Sequence, residues 1–301
     1  MALFADDTKL YINVNNIQDC HNLQGDLDSV MRWSETWKMN FNIKKCKILT
    51  ITTKTNPVVY SYTMYDKQVQ RCDNIKDIGV IIDNKLSWNS HIHTCVNKAN
   101  RLMGLIKRTL GYSAPTNVSR QLYVSLVRSN LEYCCPVWSG TTSNNIVLVE
   151  RVQRSATRYI THYENSNYQS RLIKLNLLPL NYRREYLDIC FFFKCFNGIY
   201  NTNINKFVTF VRNNGICTRS MSDATKLQVP ITNTLRDQKS YFNRIVFLWN
   251  ELPSELRNIR DFKMFKLSIY SYFLNLLHND FRCNNVCTWS MNCRCAKCRI
   301  V

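Results

Sequence analysis

The chain has 301 residues, 45% of them apolar and 12% aromatic, enough to bury the core of one large domain or a few ordinary ones, so it is not a disordered polymer. Forty Lys and Arg stand against 21 Asp and Glu, and the excess is uneven: 11 basic and 10 acidic side chains in residues 1–90, 29 and 11 in residues 91–301. With 7 Gly and no G-x-x-x-x-G-K-[ST], G-x-G-x-x-G, G-x-S-x-G or H-E-x-x-H, the sequence excludes several common enzyme classes, and no apolar run approaches the about 20 residues of a bilayer span.

The opening alternates around Ala5-Asp6-Asp7-Thr8, with apolar Ala2–Phe4 before it and Lys9–Val14 after. This pattern predicts a β-hairpin with both carboxylates at its exposed tip. No secretion signal is read there, because Asp6 and Asp7 stand where a positive and then apolar stretch is needed. From Asp19 as N-cap, Leu23, Leu27, Val30 and Trp37 recur at helical spacing and predict an amphipathic helix to about Met39, covering a sheet. Lys47–Thr53, Val58–Tyr62 and Ile75–Ile82 are β-branched or alternating, and their short connections predict an antiparallel sheet.

After Trp88 the period becomes helical. Ile92, Val96, Ala99, Leu102, Met103, Ile106 and Leu110 fall on one face, with Lys98, Arg101 and Arg108 beside them. In residues 144–160 the face is Val149, Val152, Ala156 and Ile160, while Arg151, Arg154 and Arg158 align at i, i+3 and i+7. Like charges on one ridge repel, and an anion resting there relieves them; a solvated face is the alternative. Further helices are predicted over Ser170–Leu175, Arg183–Phe196, Lys239–Leu252 and Asp261–Leu277. The fold class is therefore α+β, with a helical, basic second part. A surface this basic attracts polyanions, nucleic acid first, because each neutralised phosphate releases counterions.

An Asp-Asp pair in a turn is ordinary by itself. Held on a rigid hairpin, such a pair can also grip divalent cations for nucleotidyl transfer. The series of motifs that begins with this pair resembles, in order, the reverse transcriptases of non-LTR, LINE-type retrotransposons, in particular the jockey-like group. Leu3-Phe4-Ala5-Asp6-Asp7-Thr8 is similar to that family's [YF]-A-D-D hairpin, and Phe41-Asn42-Ile43-Lys44-Lys45-Cys46 to its next motif. Lys76-Asp77-Ile78-Gly79-Val80-Ile81-Ile82-Asp83, ending in Leu86-Ser87-Trp88 and His91-Ile92, resembles its primer-grip signature. Leu131-Glu132-Tyr133, Pro136-Val137-Trp138, Glu150-Arg151-Val152-Gln153-Arg154, Tyr182-Arg183-Arg184 and Trp249-Asn250-Glu251-Leu252-Pro253 extend the likeness along the chain.

The resemblance implies an RNA-directed DNA polymerase acting on an RNA template and a DNA primer. Asp6 and Asp7 would hold magnesium, and Lys45 would lie near the incoming triphosphate to protonate pyrophosphate; as a bare residue, Lys45 is equally a surface lysine. It implies a partial palm over 1–86, a thumb-like helical region over 87–165, a helical carboxyl-terminal region over 166–277 and a Cys-rich tail over 278–301. Only Met1–Leu3 precede the hairpin, so the motif supplying the first catalytic carboxylate and the fingers are expected to be missing. The chain alone is expected to be inactive, its partner being the missing amino-terminal part of the polymerase. The alternative is a non-catalytic RNA- or DNA-binding protein derived from thumb and tail.

Fourteen cysteines divide into two groups. Nine between Cys20 and Cys217 lie in apolar contexts that suit reduced thiols in an intracellular protein, nuclear or cytoplasmic. Five crowd the last 19 residues, where Cys287, Cys293, Cys295 and Cys298 are the candidate zinc ligands, an oxidisable tail being the alternative.

Overall fold

The computed structural model describes residues 1–211 and 225–279. Helices and small sheets share the chain, which is α+β, and it divides into two compact units, Met1–Ser90 and His91–Val301.

In the first unit, β1 (Ala2–Phe4) and β2 (Asp7–Lys9) form an antiparallel hairpin with Phe4 opposite Asp7, leaving Ala5 and Asp6 as its turn. The second strand therefore starts at Asp7 and stops at Lys9, earlier than the expected Lys9–Val14. A two-residue turn with a left-handed first residue, Ala5 at φ 50°, brings the strands flush to the acidic pair. Helix α1 spans Ile17–Thr36. Its N-cap is Asn16, not Asp19: Asn16 Oδ1 accepts from the Asp19 amide at 3.1 Å, and Asp19 Oδ2 accepts from the Asn16 amide at 3.1 Å. Asp19 is thus the third residue of a reciprocal capping box, a role its sequence position mimics closely.

The expected single antiparallel sheet is replaced by two-stranded pairs. β3 (Lys47–Leu49) runs parallel to β6 (Gln70–Cys72), β4 (Thr63–Met64) turns back onto β5 (Lys67–Gln68), and β7 (Asn74–Asp77) onto β8 (Val80–Asp83). The predicted strand Ile75–Ile82 is in fact a hairpin, because Ile78 and Gly79, at φ 44° and 85°, make the doubly left-handed turn that reverses a strand pair. Val58–Tyr62 stays outside the strands. α1 rests on the β4–β5 hairpin, where the Gln24 amide imitates a strand partner: Thr63 donates to Oε1 and accepts from Nε2, both at 3.0 Å. The buried apolar residues here are few, chiefly Cys20, Tyr62, Met64, Val69 and Val80, whereas Leu3, Phe4, Trp33, Trp37 and Met39 are all at least half exposed.

The second unit is helical. α2 (Asn89–Leu110) leads through α3 (Thr116–Leu122) and a π-helical turn (Tyr123–Arg128) to α4 (Ser129–Glu132) and α5 (Cys135–Trp138). α6 (Ser143–Ile160), capped by Thr142, precedes α7 (Tyr168–Lys174), capped by Asn167, and α8 (Leu180–Phe196), which starts after Pro179. The helix expected over Lys239–Leu252 is α10 (Tyr241–Asn250), preceded by the short α9 (Leu235–Gln238); α11 (Ser254–Arg257) and α12 (Phe262–Asn279) complete the order. α8 is the axis of this unit, packing against α5, α6, α10 and α12. Its apolar run Ile189–Phe193 feeds the core, with Phe192 at 4.9 Å from the Trp249 ring and Phe193 stacked 4.0 Å from Phe265. Burying such side chains contributes about 1.5–3 kcal/mol each. Among the described residues no helix is long and apolar enough to cross a membrane.

Candidate nucleic-acid interface and acidic hairpin

Asp6 lies in the turn of the β1–β2 hairpin and Asp7 on the first residue of β2, both exposed. The hairpin is tied to the β7–β8 pair by Lys9, whose Nζ stands 2.5 Å from Asp77 Oδ1. Neither aspartate makes a side-chain hydrogen bond or ion pair with another described residue, and no third His, Cys, Asp or Glu among them completes a metal-holding group. Two adjacent carboxylates do not by themselves bring two magnesium ions to the roughly 4 Å separation that in-line phosphoryl transfer requires. Lys45 is exposed in a turn organised by Asn42, whose carbonyl accepts the Lys45 amide at 2.9 Å just before β3. Among the described residues Lys45 makes no ion pair or side-chain hydrogen bond with Asp6 or Asp7.

Asp83, the aspartate of the Asp83-x-x-Leu86-Ser87-Trp88 stretch, organises the chain that enters α2. Its carboxylate accepts from the Lys85 amide at 2.9 Å, the Ser87 amide at 3.0 Å, the Ser87 hydroxyl at 2.8 Å and the Trp88 amide at 3.2 Å. Burial opposes ionisation of this carboxyl, but the hydrogen bonds from Ser87, Lys85 and Trp88 outweigh it and hold the pKa below the ordinary value. Leu86 and Trp88 sit at φ 50° and 63°, a backbone shape that this carboxylate maintains.

On α2, Lys98, Arg101 and Arg108 are exposed beside the buried face of Ile92, Val96, Ala99, Met103 and Ile106. On α6, Arg151, Arg154 and Arg158 are exposed too, while the intervening Glu150 and Gln153 turn inward. Glu150 accepts from the Leu180 amide at 3.0 Å and from the Tyr168 hydroxyl; Gln153 donates to Leu178 O at 3.0 Å and accepts from the Tyr123 hydroxyl at 2.7 Å. Burial pushes the Glu150 carboxyl up despite those donors. None of the recorded ion pairs involves the six exposed cations.

The α6 ridge gains a member that spacing did not reveal. Arg171 on α7 is 7% exposed, donates to Thr157 Oγ1 at 3.4 Å and to Ser166 O, and has no carboxylate partner among the described residues. Burial lowers its pKa, and the positive charges of Arg158 and Arg154 lower it further. Arg154 also lies over the Tyr168 ring at 4.6 Å. Arg154, Arg158 and Arg171 thus form a like-charged group; Glu150 acts on Arg154 only at longer range, from the interior.

Beside this group stand three tyrosines that periodicity did not single out either. Tyr159 is buried, with Tyr112 6.2 Å away, and Tyr112 is 5.9 Å from Tyr163. Lys107 Nζ reaches 5.6 Å from the Tyr159 centroid and so links α2 to α6. The only sequence signal for this group is aromatic residues close behind the basic last turns of both helices.

The remaining motif residues are structural. Arg183 pairs with Glu132, Arg184 lies under the Trp138 ring at 5.7 Å, Trp138 Nε1 donates to Tyr133 O at 2.8 Å, and the Asn250 amide exchanges hydrogen bonds with the Leu227 backbone at 2.7 and 2.9 Å. His91 is buried against Trp138, their rings 5.7 Å apart. The proposed zinc ligands Cys287, Cys293, Cys295 and Cys298 lie outside the described residues. Compared with protein-family models, curated proteins and solved structures, the chain matches none.

Proposed function

We infer that the chain is the carboxyl-terminal portion of a LINE-type RNA-directed DNA polymerase whose helical unit binds nucleic acid. The observation that carries the binding role is the ridge of exposed cations Arg151, Arg154 and Arg158 on α6, none with an ion-pair partner among the described residues, supplemented by exposed Lys98, Arg101 and Arg108 on α2. Guanidinium groups that repel one another are stabilised by phosphate oxygens, and counterion release favours the same union. The polymerase ancestry is supported by the hairpin presentation of Asp6-Asp7 beside β7–β8, and by the exposed apolar side chains of the first unit, which the remaining palm and fingers of such an enzyme would cover. In that complete enzyme magnesium would sit at Asp6 and Asp7, and zinc on the terminal cysteines.

The lack of a third acidic ligand among the described residues favours the second reading, a nucleic-acid binder without catalysis of its own. Both readings require that the purified chain bind RNA or DNA with an affinity that falls steeply as salt rises. A flat salt dependence, or no binding at low salt, removes them together. Native mass spectrometry of the reduced protein at neutral pH decides the zinc proposal, since a metal-free mass excludes it.

A further inference from the structure

We propose that Tyr112 and Tyr163 form a stacking platform for the bases of a single-stranded nucleic acid whose phosphates lie along Arg158 and Arg154; this deepens the nucleic-acid reading above and rests on it. The two rings come from different places, Tyr112 from the residue after Gly111 at the end of α2, Tyr163 from the turn at the end of α6. Their centroids are 5.9 Å apart with 50° between the planes, and Tyr112 is 71% exposed while Tyr163 is 49% exposed. Rings that merely closed a core would be covered. Tyr159, the third of the group, is the one that is: it is 3% exposed and donates to Gly111 O, fixing the end of α2 against α6.

The backbone fixes where the second ring sits. His162 and Tyr163 are both left-handed, at φ 52° and 60°, and close the end of α6. The Tyr163 amide donates to Arg158 O at 2.8 Å, so the turn that carries the Tyr163 ring is closed on the backbone of a ridge residue. Lys107 over Tyr159 and Arg108 in the same last turn of α2, four residues before Tyr112, add positive charge at that end of the helix.

A base has a π-face whatever its identity, so exposed rings flanked by cations suit an unpaired strand, whereas the faces of bases inside a duplex are already stacked. Charge alone does not make that distinction. The platform therefore predicts a preference for single strands that phosphate contacts by themselves do not give.

The test is fluorescence anisotropy of the full chain with a labelled oligouridylate, an abasic oligonucleotide carrying the same number of phosphates, and a duplex. Tyr112→Ala is expected to weaken oligouridylate binding about tenfold while leaving the abasic and duplex affinities unchanged. Tyr112→Phe, which keeps the ring, is expected to bind as the unaltered chain does. The proposal is overturned if Tyr112→Ala binds oligouridylate normally, or if it loses all three probes alike, which would mark a change of fold or charge. Unaltered protein that binds none of the probes removes the underlying reading instead. If Arg154→Gln weakens all probes and Tyr112→Ala weakens none, the basic interface stands and the platform falls.

Discussion

Arg183 forks onto Glu132, with Nε 2.8 Å from Oε1 and Nη2 3.2 Å from Oε2, and so joins α8 to α4. Arg128 adds a third charge, its Nε 3.3 Å from Oε1, close enough for an ion pair but without hydrogen-bond geometry. The three side chains are about 15% exposed or less. Burial alone would lower the Arg183 pKa, yet Glu132 raises it above the ordinary value. Removing the single acid leaves two guanidinium groups near each other in a poorly solvated place.

Glu132→Ala is accordingly expected to destabilise the helical unit by about 3–5 kcal/mol, the usual cost of an orphaned buried charge. The triple replacement Glu132→Leu, Arg128→Met and Arg183→Met is expected to recover most of that loss, since a buried charge cluster replaced as a whole costs little, whereas one cation left behind would stay orphaned. Urea unfolding of the two variants checks this; equal losses in both would mean that packing, not charge, holds α4 to α8.

On the α6 ridge the expectation is reversed. Arg151→Gln and Arg158→Gln remove exposed cations with no ion-pair partner, so each is expected to change stability by less than about 0.5 kcal/mol. Together with Arg154→Gln they are expected to lower the slope of log affinity against log salt by about 2, each lost phosphate contact accounting for roughly 0.7–0.9. Binding isotherms at several salt concentrations measure the slope. A weaker affinity with an unchanged slope would place the phosphates elsewhere.

The same segment shows what the sequence could and could not disclose. α2 and α6 were legible because their buried residues keep the 3.6-residue period and their cations fall between them. The run from Thr116 to Glu132 was not, because its buried positions Ser119, Tyr123, Val127 and Leu131 repeat every four residues, which outruns an α-helical turn. The π-helical turn at Tyr123–Arg128 takes up that excess and keeps all four on one side. Arg171 is invisible to spacing because its proximity to Arg154 and Arg158 is tertiary, and nothing in its own heptapeptide helix signals it. The motif Glu150-Arg151-Val152-Gln153-Arg154 is almost uniformly polar in sequence, yet its acid and amide serve the interior and its arginines the surface.

Asp83 gives a pH dependence of known sign. Its folded pKa is lower than the unfolded value of about 3.9, so its contribution is fully present above that value and is lost as pH falls through the folded pKa. Glu150 and Asp188, whose carboxyls burial pushes up, act in the opposite sense: their contribution is greatest below the unfolded pKa and declines as pH rises through the folded one. Asp83→Asn therefore is expected to flatten the acid limb of the stability profile of the first unit. It is also expected to cost about 1–2 kcal/mol at neutral pH, because an amide cannot accept from all of Lys85, Ser87 and Trp88 as the carboxylate does. Unfolding measured between acid and neutral pH decides it, and an unchanged acid limb in the variant would remove Asp83 as the titrating group.

The acidic hairpin carries the last prediction. Asp6 and Asp7 are exposed and make no interaction with another described side chain, so Asp6→Asn and Asp7→Asn are expected to leave the fold and its stability unchanged within about 0.5 kcal/mol. Because two carboxylates without a third do not fix a pair of metal ions, the purified chain is expected to show no magnesium-dependent extension of a primer on an RNA template. Extension that is present in the unaltered chain and vanishes in Asp6→Asn would show that a ligand beyond those the described residues bring to the hairpin completes the site, and would favour the polymerase reading over the binding one. Extension that survives Asp6→Asn would point to a contaminating enzyme, since no other pair of adjacent aspartates occurs in the chain.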